Sequence, residues 1–400
     1  MIRLLTFSTL YPNAAMPSHG VFVENRLRHL VDGGRVEARV VAPVPWFPSA
    51  HPRFGRFATF AQVPRRETRF GLEVVHPRYL TVPRLGTNLS PLALALAARP
   101  ALQALIASGF DFDAIDAHYF YPDGVAAALL ARWFRRPLVI TARGSDITQL
   151  PDYAGPRRMI RWAAREASAI VTVCSALKDQ LAALGADARK IEVLRNGVDL
   201  TGFTPIDPAS ARRHLSLPTG RRVIASVGHL IPRKGHELVI EAIAALPDVT
   251  LLIAGSGPEG DALASLAQRL GIGERVRFLG QLGHQQLPLV YSASDALVLA
   301  SSNEGWANVL LEAMACGTPV VATDVGGSRE VVDAPEAGVL VARRDGRTIA
   351  DALAGLLAAP PDRAATRRYS ERFSWDETTH GQERLFGSLV SDPRARGMAS

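Results

Sequence analysis

The stretch Ser301-Ser302-Asn303-Glu304-Gly305-Trp306-Ala307-Asn308-Val309-Leu310-Leu311-Glu312-Ala313-Met314-Ala315-Cys316-Gly317-Thr318-Pro319-Val320-Val321-Ala322-Thr323 decides how the rest of the chain is read. It follows the short apolar run Ala296 to Ala300 and closes on a second, Pro319 to Ala322, each of strand length. Between them Val309, Leu310, Ala313 and Met314 recur at helical spacing, and Gly317 stands where a helix stops. The segment predicts strand, loop, short helix, strand. In such a unit a ligand lies beyond the carboxyl end of the strand, facing a helix amino terminus whose free N–H groups and dipole favour an anion. Glu304 falls in the loop and Glu312 on the helix. A carboxylate accepts hydrogen bonds without donating any, so two of them beside an anion-attracting helix end fit a ligand bearing both phosphate and hydroxyls, such as a nucleotide sugar. The plainer alternative makes Glu304 a solvated loop residue and Glu312 the cover of an exposed helix face.

Glu304 through Glu312, with the Ala-Met-Ala-Cys-Gly-Thr-Pro-Val-Val-Ala that follows, resembles the E-x7-E segment of the retaining glycosyltransferases of family 4, the group 1 transferases. The resemblance reaches from Tyr11-Pro12 to Trp375. It implies the GT-B fold, an α/β architecture of two doubly wound Rossmann-like domains facing a cleft, the first for the acceptor and the second for a nucleotide-diphosphate sugar. It also implies retention of anomeric configuration, which spacing alone does not show.

Bulk properties agree with two soluble α/β domains. The chain has 400 residues, 48% hydrophobic and 21% charged, enough for two separate cores. Its two cysteines, Cys174 and Cys316, stand apart from any metal-ligand or disulfide-like spacing, so free thiols and a cytosolic setting are expected. Met1 to Ser8 reads as the first strand rather than a signal peptide, and no apolar run is expected to span a membrane. Residues 1–200 hold 25 basic and 16 acidic side chains, so the first half carries the whole formal excess of +7. Such a surface attracts anionic lipid headgroups or a polyanionic acceptor; no nucleic-acid motif accompanies the charge.

In the first half, Ile2 to Ser8 predicts a strand, Leu10 to Gly20 a loop and Val21 to Val31 a helix. Gly20 either brings backbone close to a ligand, as the matching glycine loop does in the family, or simply makes the turn. His51 to Phe57 and Pro64 to Phe70 interleave arginine with phenylalanine, which suits a membrane interface, a glycan or a solvated, mobile connection. Strand–helix alternation then resumes from Ala114 to Leu194. His118 ends a strand and matches a cleft histidine of the family; the alternative is a packed, hydrogen-bonded histidine. Arg143-Gly144-Ser145-Asp146 follows the next strand, with Arg143 in place of the family's usual sugar-binding histidine. Arginine donates to hydroxyl or phosphate but is no proton shuttle at neutral pH. Arg157, Arg161 and Arg165 recur every four residues and form a basic stripe, read as a solvated face or as peripheral membrane attachment.

Asn196-Gly197-Val198-Asp199 closes the first domain, expected over residues 1–199, and the second is expected over 200–372. A terminal helix over 373–391 should cross back to the first, ahead of a disordered tail at 392–400. In Gly228-His229-Leu230-Ile231-Pro232-Arg233-Lys234-Gly235 two cations flank a turn at a helix entrance, the usual cradle of a diphosphate. By resemblance Lys234 binds the donor pyrophosphate, and Arg233 supplies the second charge because His229 replaces the family's arginine. Gly255-Ser256-Gly257-Pro258-Glu259-Gly260 formally matches G-x-G-x-x-G and defines a rival, a nicotinamide-dependent oxidoreductase. A silent sugar-nucleotide-binding module is a second rival, raised by Arg143 and His229, and a phosphorylase-like enzyme a third. The reading selected joins Glu304, Lys234, Arg233 and His118 as catalytic. Gly228, Gly305, Trp306, Ala307, Asn308, Val309 and Glu312 hold the donor, and Gly20, Arg143, Asp146 and Asn196 lie toward acceptor or sugar. It needs no metal and no cofactor beyond the nucleotide-sugar donor, and it takes a lipid-linked or cell-envelope glycan as acceptor at the inner membrane face.

Overall fold

Apolar runs of strand length alternate with helical segments through most of the chain, and the computed structural model, which describes residues 1–81, 88–218 and 220–391, folds them into two units. One comprises Met1–Arg195 and the residues from Asp376; the other is Asn196–Trp375. The first contains strands β1 (Ile2–Phe7), β2 (Val36–Val41), β3 (Val44–Pro45), β4 (Arg66–Arg69), β5 (Leu72–Val75), β6 (Arg78–Tyr79), β7 (Ala114–His118), β8 (Leu138–Ala142), β9 (Ala169–Thr172) and β10 (Ile191–Val193). Its helices are α1 (Val21–Asp32), α2 (Arg56–Gln62), α3 (Ser90–Ala107), α4 (Val125–Phe134), α5 (Ser145–Thr148), α6 (Ala154–Glu166) and α7 (Ser175–Ala183).

The main sheet runs β10-β9-β8-β7-β1-β2-β5-β4, parallel except for β4, which turns back on β5. Strand order reverses between β1 and β7, so the loops after these two strands meet at the switch point. Asp123 fastens that junction: its carboxylate accepts from Thr9 N at 2.6 Å, Thr9 Oγ1 at 2.9 Å and Ser8 Oγ at 3.3 Å. Burial pushes this carboxyl up to about 7 against those donors. The unfolded chain therefore ionises first as pH rises from 4 to 7, and stability falls across that window. Asp123→Asn, neutral throughout, should gain up to about 4 kcal/mol on wild type by pH 8 and little at pH 4, read from urea midpoints. Equal pH dependence in both proteins would refute this.

The first arginine–phenylalanine segment folds back on itself. Phe47, Phe54, Phe57 and Phe60 form one ring cluster with centroids 5.2–6.1 Å apart. Arg53 lies over Phe54 and Arg56 over Phe60, so rings and cations first satisfy one another. The expectation about membrane-length runs is corrected by α3, which is long and apolar enough by composition to cross a bilayer. Its stripe Pro91, Leu94, Ala95, Ala98, Leu102 and Leu105 is buried in this unit instead.

The second unit contains α8 (Pro208–His214), β11 (Arg222–Val227), α9 (His236–Ala244), β12 (Val249–Ala254), α10 (Gly260–Arg269), β13 (Val276–Gly280), α11 (Leu287–Ala293) and β14 (Ala296–Leu299). It continues with α12 (Asn308–Ala315), β15 (Val320–Thr323), α13 (Ser328–Val331), β16 (Gly338–Val341), α14 (Gly346–Ala358) and α15 (Arg363–Ser370). Its six strands are all parallel in the order β13-β12-β11-β14-β15-β16, the doubly wound arrangement whose switch point lies between β11 and β14. Isoleucine, leucine and valine from one face of this sheet fill a core with the inner sides of α9, α10 and α14. The last helix, α16 (Trp375–Ser391), belongs to the first unit after its opening residue; Phe386 is buried in that core and Glu383 pairs with Arg35. The tail at 392–400 lies outside the described residues. Both cysteines are buried thiols, joined in no disulfide among the described residues.

Candidate functional site

The loops after β11 and β14 emerge side by side at the second unit's switch point, and three close backbone approaches fix them there. A Cβ on Gly235, whose φ is 73°, would lie 2.1 Å from the Ala300 carbonyl oxygen. One on Gly326 would lie 1.9 Å from the Glu304 oxygen, and one on Gly255 1.8 Å from the Gly228 oxygen. Only glycine fits such contacts. This also accounts for the G-x-G-x-x-G match: Gly255 and Gly257 lie against the Gly228 and Leu230 carbonyls, so that the β12 loop dovetails with the β11 loop.

Within this frame the Lys234 Nζ sits 2.5 Å from Glu304 Oε1, and Ser301 Oγ donates to the same oxygen at 2.6 Å. Glu304 is only 7% exposed, which removes the solvated-loop alternative. Its Oε2 accepts no hydrogen bond among the described residues, leaving one oxygen for a hydroxyl. Arg233 braces the loops from the turn that also carries Lys234. Its guanidinium donates to Asn303 O at 2.9 Å, while Ser302 N donates to Arg233 O at 2.8 Å, so the two loops are stitched together. Arg344, which the sequence did not single out, adds bonds to Ala300 O and Pro232 O at 2.8 and 2.9 Å. Gly228 leaves room beside the Lys234 stem, whose nearest carbon would be 3.7 Å from an added Cβ.

The loop then enters α12. Asn308 N donates to Trp306 O and Leu310 N to Ala307 O, whereas the N–H groups of Gly305, Ala307 and Val309 donate to no protein group among the described residues. Unclaimed donors at a helix mouth beside a lysine form an anion-binding nest. Trp306 Nε1 donates to Asn196 O at 3.0 Å, and Asn196 Nδ2 reaches Asn308 Oδ1 at 3.5 Å, which makes Asn196 a brace of the helix entrance. Glu312 is half-buried and accepts from Tyr291 Oη at 2.9 Å; burial raises its pKa. Tyr291 and Ser301 went unread. Ser301 was legible, lying three residues before Glu304; Tyr291 had no local signal.

In the first unit the other expected residues meet each other more than any opening. His118 is enclosed, with Nε2 3.1 Å from Asp116 Oδ2 and Nδ1 2.6 Å from the Arg143 guanidinium. Arginine only donates, so Nδ1 accepts and Nε2 carries the proton. Burial lowers this histidine to about 4, so it is neutral at pH 7. This is the packed, hydrogen-bonded alternative, and His118 is corrected to a residue that holds Arg143. Burial and the neighbouring Arg26 bring Arg143 itself down to about 9. Asp146 is corrected likewise: its two oxygens accept from Phe120 N, Gly144 N and Arg143 N at 2.7–3.2 Å, which shapes the loop and leaves no oxygen over. Gly20, with φ 72°, is required by Leu10, whose carbonyl oxygen would lie 2.3 Å from a Cβ. Among the described residues no group of three or more His, Cys, Asp or Glu side chains converges as a metal site.

Two parallel-sheet units of this topology, one with an anion nest at its switch point, define a GT-B protein. Solved structures agree: sucrose-phosphate synthase from Thermosynechococcus elongatus has a TM-score of 0.82 at 21% identity, covering 98% of this chain and 99% of that one. HepE from Anabaena, in complex with UDP and glucose, has a TM-score of 0.74 at 23% identity, covering 97% of this chain and 100% of that one. Residues 20–201 match the family described as Glycosyltransferase Family 4, and residues 209–373 match the one described as Glycosyl transferases group 1. The chain belongs to the group 1 glycosyltransferases. The D-inositol 3-phosphate glycosyltransferases of Mycobacterium tuberculosis and Mycobacterium bovis are 35% identical over 311 residues, 72% of this chain; the match spans 64% of those relatives' length.

Proposed function

We propose that the protein is a retaining glycosyltransferase that moves a sugar from a nucleotide diphosphate to a hydroxyl of a lipid-linked or cell-envelope glycan, in the cytoplasm at the inner membrane face. The observation that carries the reading is Lys234 beside Glu304 at the switch point, next to three unclaimed N–H groups at the mouth of α12. In this reading the diphosphate docks on those N–H groups and on Lys234, which offset the charge that grows on the leaving oxygen as the glycosidic bond breaks. Glu304 Oε2 accepts from a sugar hydroxyl and the outer oxygen of Glu312 from the ribose. The acceptor hydroxyl attacks from the face the diphosphate leaves, passing its proton to that departing oxygen, so configuration is kept. No metal takes part. HepE's UDP complex makes uridine the first nucleotide to try, and the name of the mycobacterial relatives puts a phosphorylated inositol among the acceptors to try.

A panel of nucleotide sugars tests the donor. The right one at a hundred times its Kd should add about 2.7 kcal/mol to stability and raise Tm by several degrees. With an acceptor it should release nucleotide diphosphate, undiminished by a chelator, and give a product with the donor's anomeric configuration by NMR. Stabilisation without release under any acceptor would favour the silent module. Stabilisation by a reduced nicotinamide instead would favour the oxidoreductase.

A further inference from the structure

In the first unit α3 packs on α4 and α4 on α6, so the three share one layer. The amino-terminal ends of α3 and α6 also meet, since a Cβ on Gly155 would lie 2.3 Å from Asn88 Oδ1. Arg99 lies over the Trp133 ring, joining α3 to α4, and Arg132 pairs with Glu166 at 3.8 Å, joining α4 to α6. The side of α3 turned to solvent is apolar at its amino-terminal end, where Leu89 just ahead of the helix, Leu92 and Leu96 are 61%, 45% and 53% exposed, before exposed Arg99 and Gln103 continue it. A single exposed leucine is ordinary, but three along one helix edge are not.

Beside them α6 presents Arg157, Arg158, Arg161 and Arg165, all exposed. They border two shallow grooves of about 560 and 430 Å³. Asp152 contributes a carboxylate to the first; the second is lined by Ala154 and arginines alone. Among the described residues no carboxylate pairs with Arg158, Arg161 or Arg165. Tyr153, 67% exposed at the head of α6, and Trp133 on α4 add rings of the kind that settle at a headgroup boundary. The guanidinium groups follow one another along roughly 12 Å of helix rather than converging on a point. Such a row matches a plane of phosphates better than one small anion.

We propose that the outward face of α3 and α6 docks on an anionic bilayer, with the α6 arginines on lipid phosphates and the α3 leucines at the headgroup boundary. The proposal deepens, and rests on, the reading that the acceptor is held at a membrane. The full chain is sedimented at physiological salt with vesicles of equal parts phosphatidylglycerol and phosphatidylcholine, or of phosphatidylcholine alone. Wild type should bind the anionic vesicles at least about tenfold more tightly. Arg158→Glu/Arg161→Glu/Arg165→Glu should lose that preference, and the milder Arg161→Gln/Arg165→Gln should lose part of it. Leu92→Ser/Leu96→Ser, which leaves the charge alone, should bind several-fold more weakly. Donor turnover without vesicles should stay at the wild-type level in all three. Equal binding to both vesicles, or any of these variants binding as wild type, overturns the proposal. A wild type that turns over donor yet ignores vesicles faults this face alone; one that binds vesicles but turns over no donor faults the proposed function instead.

Discussion

Replacing Lys234 by alanine should lower the rate of sugar transfer by about 10²–10³, corresponding to about 3–4 kcal/mol of lost leaving-group stabilisation. The same change should also destabilise the fold, because Glu304 would keep only the Ser301 hydroxyl on its buried Oε1. Breaking one side of a buried ion pair costs about 3–5 kcal/mol, whereas removing both partners is often close to neutral. Lys234→Ala/Glu304→Ala should therefore recover the urea midpoint and none of the activity. A single variant with undiminished transfer would sink the assignment. A double variant as unstable as the single one would show that the pair is not the buried contact described.

Gly326→Ala should be nearly as damaging without touching any charged group. Its Cβ would be pressed to 1.9 Å from the Glu304 carbonyl oxygen, at a φ of 50° that alanine adopts poorly. Relieving the clash moves the Glu304 loop by roughly 1 Å, and a displacement of that size costs about 10² in rate when it misplaces a reacting group. Gly355→Ala is the matched control. Gly355 is exposed within α14 and nothing lies within 4 Å of its added Cβ, so this change should raise Tm slightly and leave transfer unaltered. If Gly326→Ala behaves like the control, the close approach does not position the site.

The strand–loop–helix pattern was readable because its periodicity is local. A strand over Ile2–Phe7 occupies nearly the span expected, and the helix after Asn308 stops before Gly317 as its glycine signals. α3 escaped notice because an alanine- and leucine-rich run with Pro91 and Pro100 shows no clean amphipathic period. β16, α14 and α15 were likewise not read, although Asp345 and Asp362 cap the two helices in the ordinary way. At the site, the type and place of Lys234 and Glu304 could be read; their pairing could not, because it joins residues 70 positions apart. His118 and Asp146 mislead for the same reason. Each is held partly by near neighbours, Asp116 for His118 and the Arg143 and Gly144 N–H groups for Asp146, and partly by a partner 25 or 26 positions away that only folding brings near.

The dovetailed glycines at the second switch point carry a lesson for how this protein can diversify. Four carbonyls there, those of Gly228, Leu230, Ala300 and Glu304, are pressed against glycines with no room for even a methyl group, so loop lengths between β11, β12, β14 and β15 are not free to drift. Insertions, the common currency of new specificity in α/β enzymes, would spring the frame apart. A descendant with altered binding at this site must get there by exchanging side chains on an unchanged backbone, and libraries aimed at the site should be built the same way.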